Sequence, residues 1–265
     1  MNGQERIEQA IRTTHAAGHP ALAAFITAGF PRREGFAELI DTIAGAADVV
    51  EIGVPFTDPM ADGVTIQHSS QVALSAGVTL HWILETIRKV TCTTPLILMS
   101  YLNPLLAYRI DRLAADAVTA GVSGFIIPDL PFEESESIRE TFEAAGLALI
   151  QLVTPVTPED RLARLCRASR GFVYAVTMTG TTGKGGDTVF EGAADYLKRV
   201  QALSPIPVLA GFGIRQASQL TTVAEHTHGG IVGSALIEVL DRGDDPVAFL
   251  RSLRPSLPDP RGERP

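Results

Sequence analysis

VEIGVPFTDPMADG, residues 50–63, is a short apolar run that ends in a loop containing proline and acidic residues. The apolar part is too short for a helix. It is also nearly continuous rather than alternating, as in a strand buried on both faces of a parallel sheet. Glu51 lies at the end of this run, and Asp58 and Asp62 follow in the loop. The stretch therefore predicts a buried parallel strand with carboxylates at its carboxyl end.

Similar apolar runs recur at fairly even intervals along the whole chain. The eight runs are ALAAFITAG at 21, ADVVEIG at 47, TPLILMSY at 94, GFIIPD at 124, ALIQLVTP at 148, GFVYAVT at 171, IPVLAGFG at 206 and GGIVGSA at 229. Amphipathic segments such as REGFAELIDTIAGA and PEDRLARLCRAS separate them. Eight strand–helix units in 265 residues fit an α/β fold built as a single (β/α)₈ TIM barrel better than a doubly wound sheet.

No linker interrupts this repeat, so the sequence predicts one catalytic domain over residues 1–254, with an extra helix before the first strand. The last residues, 255–265, are rich in proline and charge and are expected to form a frayed tail. A hydrophobic content of 45% in a chain of this length is enough to bury a substantial core.

Charge and composition exclude several classes of partner. The formal net charge is -8 and the pI is about 5.3, so the long-range field repels nucleic acid and anionic membranes. Only two cysteines occur, the amino terminus has no apolar signal region, and every apolar run is shorter than a membrane span. These features predict a cytoplasmic protein without disulfides.

The acidic residues after the second apolar run are candidates for catalysis. In a TIM barrel the active site lies at the carboxyl ends of the strands, where Glu51, Asp58 and Asp62 are expected. A poorly solvated carboxylate there has a raised pKa, which suits general acid–base work. Structural roles remain an alternative, because Asp62 is placed to cap the following helix and Glu51 to pair with a basic neighbour.

Two glycine turns indicate a phosphate site. Gly211 and Gly213 end the seventh run, and Gly233 and Ser234 end the eighth, each just before a helical segment. Helix starts offer backbone N–H groups to anions, and the loops after strands seven and eight are the usual phosphate site of these barrels. The alternative is that the glycines only allow tight turns.

Two other patterns, a P-loop-like segment and the histidines, do not indicate a binding site. GTTGKGGD, from residue 180, lacks the spacing of a phosphate-binding P-loop and is interpreted as a lid. None of the six histidines lies at a strand end with a second ligand at metal-site spacing, so no metal is predicted.

Several segments together resemble the tryptophan synthase α chain. They are FITAGFP, VEIGVPFTDPMADGVTIQ, SYLNPLLAY, GFIIPDLPFEE, TPVTPEDR, YAVTMTGTTG, PVLAGFGI and IVGSA, in the family's order. The resemblance implies a TIM barrel lyase of tryptophan biosynthesis that cleaves indole-3-glycerol phosphate to indole and glyceraldehyde 3-phosphate. It also implies an α₂β₂ complex with a β chain that uses pyridoxal phosphate, and no cofactor in this chain.

By this resemblance Glu51 and Asp62, rather than Asp58, are the catalytic carboxylates. Glu51 would exchange protons with the substrate, and Asp62 would stabilise the positive charge on the ring nitrogen. The other matched positions would bind substrate: Phe25, Tyr101 and Ile126 around the indole, Tyr174 near Glu51, Thr182 from the lid toward Asp62, and Gly183, Gly213, Gly233 and Ser234 on the phosphate.

The sequence departs from the family pattern in three loops. Val64 replaces a common proline, the lid continues as GKGGD, and AEHTHGGIVGSA lacks a common acidic residue. No catalytic group is lost, but two of these loops would meet the β chain. Two alternatives therefore remain open: a stand-alone lyase, acting on indole-3-glycerol phosphate or a modified form of it, and a non-catalytic activating subunit.

Overall fold

Eight parallel strands form a closed barrel in which each strand pairs with the next along the chain and β8 returns to β1. The computed structural model describes residues 1–177, 193–211 and 213–254. The strands are β1 Ala21–Thr27, β2 Val49–Gly53, β3 Leu96–Met99, β4 Val122–Ile126, β5 Ala148–Val153, β6 Val173–Val176, β7 Val208–Gly211 and β8 Gly229–Val232. The TIM barrel predicted from the eight apolar runs is confirmed.

Helices surround this barrel, and twelve α-helices lie within the described segments. They are α1 Gly3–Ala16, α2 Phe36–Ala44, α3 Val64–Ser75, α4 Leu80–Ile87, α5 Leu102–Tyr108, α6 Ile110–Ala120, α7 Glu136–Ala144, α8 Glu159–Ala168, α9 Ala194–Leu203, α10 Ala217–Ala224, α11 Ser234–Arg242 and α12 Pro246–Ser252. A short 3₁₀ helix covers Phe132–Glu134. The predicted tail, 255–265, lies outside the described residues.

The predicted extra helix before the first strand is α1, and it closes the amino-terminal end of the barrel. Asn2 caps it through a reciprocal hydrogen-bond pair with Glu5. Ile7 and Ile11 are fully buried and belong to the same cluster as interior barrel residues such as Ala21. With this end plugged by apolar side chains, the opposite end of the barrel is left to hold the site.

Strand alternation decides which side chains line the barrel. Ala23 and Val49 belong to the interior cluster, so Phe25 and Glu51, two residues further along their strands, point to the same side. Phe25 also lies opposite Glu51 in the β1–β2 register. Both residues therefore reach the barrel interior near the carboxyl ends of the strands.

Candidate active site

Glu51 is buried inside the barrel without a basic partner in the described segments. Its side chain belongs to a residue only 1% exposed, and one carboxyl oxygen, Oε2, has no hydrogen-bond partner. Burial, with a smaller contribution from the charge of Asp62, raises the pKa of Glu51 to about 8. The carboxyl group is therefore mainly protonated at neutral pH and is a proton donor.

Asp62 is held at the mouth by a tyrosine from another strand loop. The Tyr101 hydroxyl accepts a hydrogen bond from the Ala61 N–H at 2.9 Å and donates one to the Asp62 carboxylate. Burial raises the pKa of Asp62 to about 6, while the bond from Tyr101 acts in the opposite direction. Asp62 is therefore mainly ionised at neutral pH.

The structure does not show the two alternative roles, helix capping by Asp62 and ion pairing by Glu51. The N-cap of α3 is Gly63 and carries no side-chain capping bond, so Asp62 does not cap that helix. Glu51 makes no ion pair with the described residues. Asp58, the third acidic residue, is exposed and bonded by the Thr57 hydroxyl. One protonated and one ionised carboxyl group thus share the mouth of the barrel, as acid–base chemistry requires.

A small pocket at the mouth of the barrel is lined by Asp62 together with apolar and aromatic side chains. Phe25, Met99 and Tyr101 contribute apolar surface to its wall, and Asp62 and Ser70 contribute polar atoms. Phe56 stacks on Tyr101 with ring centroids 5.1 Å apart, which holds the tyrosine ring in place. The structure thus brings Phe25, Tyr101 and Asp62 together around one space. Ser70 was not among the predicted site residues.

Ile126 and Tyr174 lie deeper in the barrel. Both belong to the interior cluster that includes Ile97, and Ile126 is fully buried. Burial, followed by the charges of Glu51 and Asp62, raises the pKa of Tyr174 well above its ordinary value. Tyr174 is therefore a neutral hydroxyl close to both carboxylates, where it can act as a hydrogen-bonding group.

Two strand-end glycines make room for aromatic rings of the site. A Cβ added at Gly53 would lie 2.5 Å from Cζ of Phe25, and one added at Gly211 would collide with the Tyr174 ring. The sequence predicts Gly211 in a phosphate turn, and the structure shows in addition that its lack of a Cβ makes room for the Tyr174 ring. Spacing cannot reveal this role, because Gly211 and Tyr174 meet only when β6 pairs with β7.

The two turns predicted to bind phosphate differ in how their backbone N–H groups are bonded. Gly233 and Ser234 begin α11, and Gly233 carries no side-chain cap, so this helix start can meet an anion. At the other turn, Gln219 Oε1 accepts from the N–H groups of Arg215 and Gln216 at 2.7 and 3.2 Å. Two N–H groups of the turn before α10 are therefore already paired within the protein, and Gly213 lies in the same turn with a φ of +88°.

The predicted lid residues Thr182 and Gly183 lie outside the described residues. Within the described ranges, no group of three or more His, Cys, Asp or Glu side chains is arranged to hold a metal. No helix in these ranges is long and apolar enough to cross a bilayer.

Comparison with known proteins gives a consistent result. The family model described as "Tryptophan synthase alpha chain" matches residues 11–253. The alpha chain of Nitratidesulfovibrio vulgaris (strain DP4) is 43% identical over 250 residues, covering 93% of this chain and 97% of the relative. That of Xylella fastidiosa (strain 9a5c) is 44% identical over 264 residues, covering 95% and 98%.

Solved structures that superpose on this chain come from the same kind of protein as the sequence relatives. A chain of Mycobacterium tuberculosis tryptophan synthase in space group F222 superposes with a TM-score of 0.86 at 33% identity, covering 94% of this chain and 96% of that one. The alpha subunit from Legionella pneumophila str. Paris gives a TM-score of 0.83 at 35% identity, covering 96% and 98%.

The closed parallel barrel, with the candidate carboxyl groups Glu51 and Asp62 toward the carboxyl ends of its strands, is the architecture of a single-barrel enzyme. The matches span nearly the whole chain and nearly the whole of each relative. The chain belongs to the tryptophan synthase alpha chain family. It is a carbon–carbon lyase of tryptophan biosynthesis that cleaves indole-3-glycerol phosphate to indole and glyceraldehyde 3-phosphate.

Proposed function

We propose that Glu51 and Asp62 carry out this cleavage as a protonated acid and an anionic stabiliser. The observation that carries the proposal is the different environment of the two groups. Glu51 is 1% exposed with its Oε2 unpaired, whereas Asp62 is partly exposed and receives the Tyr101 hydroxyl, and burial raises their pKa values to about 8 and about 6. Two carboxyl groups held in different protonation states at neutral pH can take opposite roles in one reaction.

The first step is proton transfer from the Glu51 carboxyl group to C3 of the indole ring. The ring then carries a positive charge at its nitrogen, and the Asp62 carboxylate stabilises that charge at the mouth. Glu51, now ionised, takes the proton of the glycerol hydroxyl next to the scissile bond. The C–C bond breaks as the hydroxyl carbon becomes an aldehyde, and its electron pair restores the aromatic indole.

The other substrate contacts follow from the same arrangement. Phe25 and Tyr101 line the indole pocket, Ile126 forms its floor, and Tyr174 hydrogen-bonds beside Glu51. Gly183, Gly213, Gly233 and Ser234 hold the phosphate, and Thr182 closes from the lid toward Asp62. Support comes from the shared cavity of Phe25, Tyr101 and Asp62, and from the uncapped start of α11.

The proposed chemistry needs no cofactor or metal in this chain. Glu51 supplies the proton, and the protonated indole ring is itself the electron sink. Pyridoxal phosphate would belong only to the β chain.

A tryptophan synthase β chain is the proposed protein partner, in an α₂β₂ complex. Support comes from exposed apolar side chains in segments that follow β2, β3 and β5 at the mouth of the barrel. Met60 is 81% exposed, Val64 75% and Val156 74%, and Leu106 is half exposed. Large apolar side chains grouped on one face are typical of a protein interface.

We expect a cognate β chain to raise kcat/KM for indole-3-glycerol phosphate at least about tenfold, which corresponds to about 1.4 kcal/mol of barrier. The physical reason is that Met60 lies two residues before Asp62, so a partner docked on it orders the loop that carries the carboxylate. The measurement compares the isolated chain with the chain saturated by β subunit.

Val156→Asp tests whether the exposed apolar face is the interface with the β chain. It places a charge on the same apolar face but away from the Asp62 loop. We expect weaker activation by the β chain and an unchanged rate for the isolated chain. Equal activity of the wild-type chain with and without the β chain would instead favour a stand-alone lyase.

Gly233→Val tests the phosphate site. The nearest atom to a Cβ at this position is Phe25 Cβ at 3.6 Å, an ordinary contact, so there is space for a Cβ at Gly233. A bulkier side chain should block approach of an anion to the start of α11. Calorimetry should show a loss of glycerol 3-phosphate affinity far greater than the loss of indole affinity. Equal losses would assign the turn a structural role only.

A further inference from the structure

An ion pair links the two turns of the proposed phosphate site. Arg215 follows Gly213 by two residues, and Glu238 lies on α11 one helical turn after Ser234. The guanidinium donates two parallel hydrogen bonds, from Nη1 to Oε2 at 2.7 Å and from Nη2 to Oε1 at 2.8 Å. This two-bond geometry fixes both distance and orientation between the turns.

Further contacts of the pair reach both ends of the site. Gln219 Oε1 accepts a hydrogen bond from the backbone N–H of Arg215 at 2.7 Å, which fixes the conformation of that turn. On the other side, the Thr65 hydroxyl lies 3.5 Å from Glu238 Oε1. Thr65 is the second residue of α3 and follows Asp62 by three residues. The pair thus lies between the phosphate turns and the segment that carries Asp62.

The pair is unsuited to a role in global stability. Both side chains are about one third exposed, 36% for Arg215 and 32% for Glu238. An exposed ion pair contributes at most about 1 kcal/mol to folding. The bonds from Arg215 also lower the pKa of Glu238, so its carboxylate is ionised and compensated beside the place where a phosphate dianion binds.

We propose that Arg215 and Glu238 form a positioning pair that holds the Gly213 and Gly233 turns in register and so sets the affinity for the phosphorylated substrate. This inference rests on the proposed phosphate site. A binding site whose donors are already in place loses less entropy when the ligand binds. Breaking the pair should therefore weaken binding of the phosphate group and leave the rate of the bound substrate almost unchanged.

The test uses Arg215→Gln, Glu238→Gln and the double variant. We expect each single change to raise KM for indole-3-glycerol phosphate and Kd for glycerol 3-phosphate about five- to tenfold, with kcat unchanged. The double variant should be no weaker than either single one, because the lost interaction is shared. Arg170→Gln is the control, since Arg170 makes a similarly exposed pair with Glu143 at the other end of the barrel.

The two single variants separate position from charge. Arg215→Gln removes a cation near the phosphate, whereas Glu238→Gln removes an anion, so a purely electrostatic effect would shift Kd in opposite directions. Opposite shifts, unchanged Kd values or a loss confined to kcat would each overturn the positioning role. If Gly233→Val weakens phosphate binding and Arg215→Gln does not, only the pair is misassigned. If Gly233→Val has no effect, the phosphate site itself is wrong, and the inference falls with it.

Discussion

Glu51→Gln should lower kcat for indole-3-glycerol phosphate cleavage about 10²–10⁴-fold, the usual cost of losing a general acid. Glutamine keeps the shape of the side chain but has no carboxyl proton to give to C3 of the indole. Because Glu51 is buried without an ionic partner in the described segments, replacing it with a neutral amide should leave the fold intact. Single-turnover kinetics measure the loss, and thermal unfolding checks the fold.

Asp62→Asn should be similarly damaging for a different reason. Asparagine cannot balance the positive charge that develops on the ring nitrogen, and removing one such stabilising group typically costs about 10²–10³-fold in kcat. The matched control is Asp58→Asn, which changes an exposed acid in the same loop and should leave the isolated chain fully active. A variant at position 51 or 62 that kept more than about a tenth of kcat would lose its assigned role.

The pH dependence of kcat/KM should be bell-shaped, with limbs near pH 6 and pH 8. The sign follows from the roles. Asp62 must be ionised, so activity rises with pH as its carboxyl group loses a proton near pH 6. Glu51 must be protonated, so activity falls as pH rises through about 8. Outside these limits kcat/KM should fall about tenfold per pH unit.

The origin of each limb can be assigned with single variants. The residual activity of Asp62→Asn should lack the acidic limb, and that of Glu51→Gln should lack the alkaline limb. A profile that stayed flat from pH 5 to about pH 9 would contradict the proposed protonation states. Reversed assignments, with the alkaline limb lost in Asp62→Asn, would exchange the roles of the two carboxylates.

The barrel was predictable because its strands are buried on both faces. Such strands need nearly continuous apolar runs, and the loops between them need glycine, proline and polar residues. Since all carboxyl ends of parallel strands meet at one face, the sequence also predicts that Glu51 and Asp62 lie at the same mouth.

The roles of individual site residues were less predictable. The sequence put Tyr101 in the indole pocket, but its hydroxyl also joins the Ala61 N–H to the Asp62 carboxylate, across a separation of about 40 residues. Gly211, predicted to lie in a phosphate turn, also makes room for the Tyr174 ring. Both contacts form between neighbouring strands or loops, so no local sequence pattern predicts them.

The sequence by itself determined the strand order, the two carboxylates and the family to which the chain belongs. Only the tertiary structure decided which carboxyl group keeps its proton. That difference depends on solvation: the closed barrel removes Glu51 from water almost completely, whereas Asp62 stays partly exposed at the mouth and receives the Tyr101 hydroxyl. Burial and a hydrogen bond from a distant segment are properties of the folded chain, because they arise only when residues far apart in sequence are brought together.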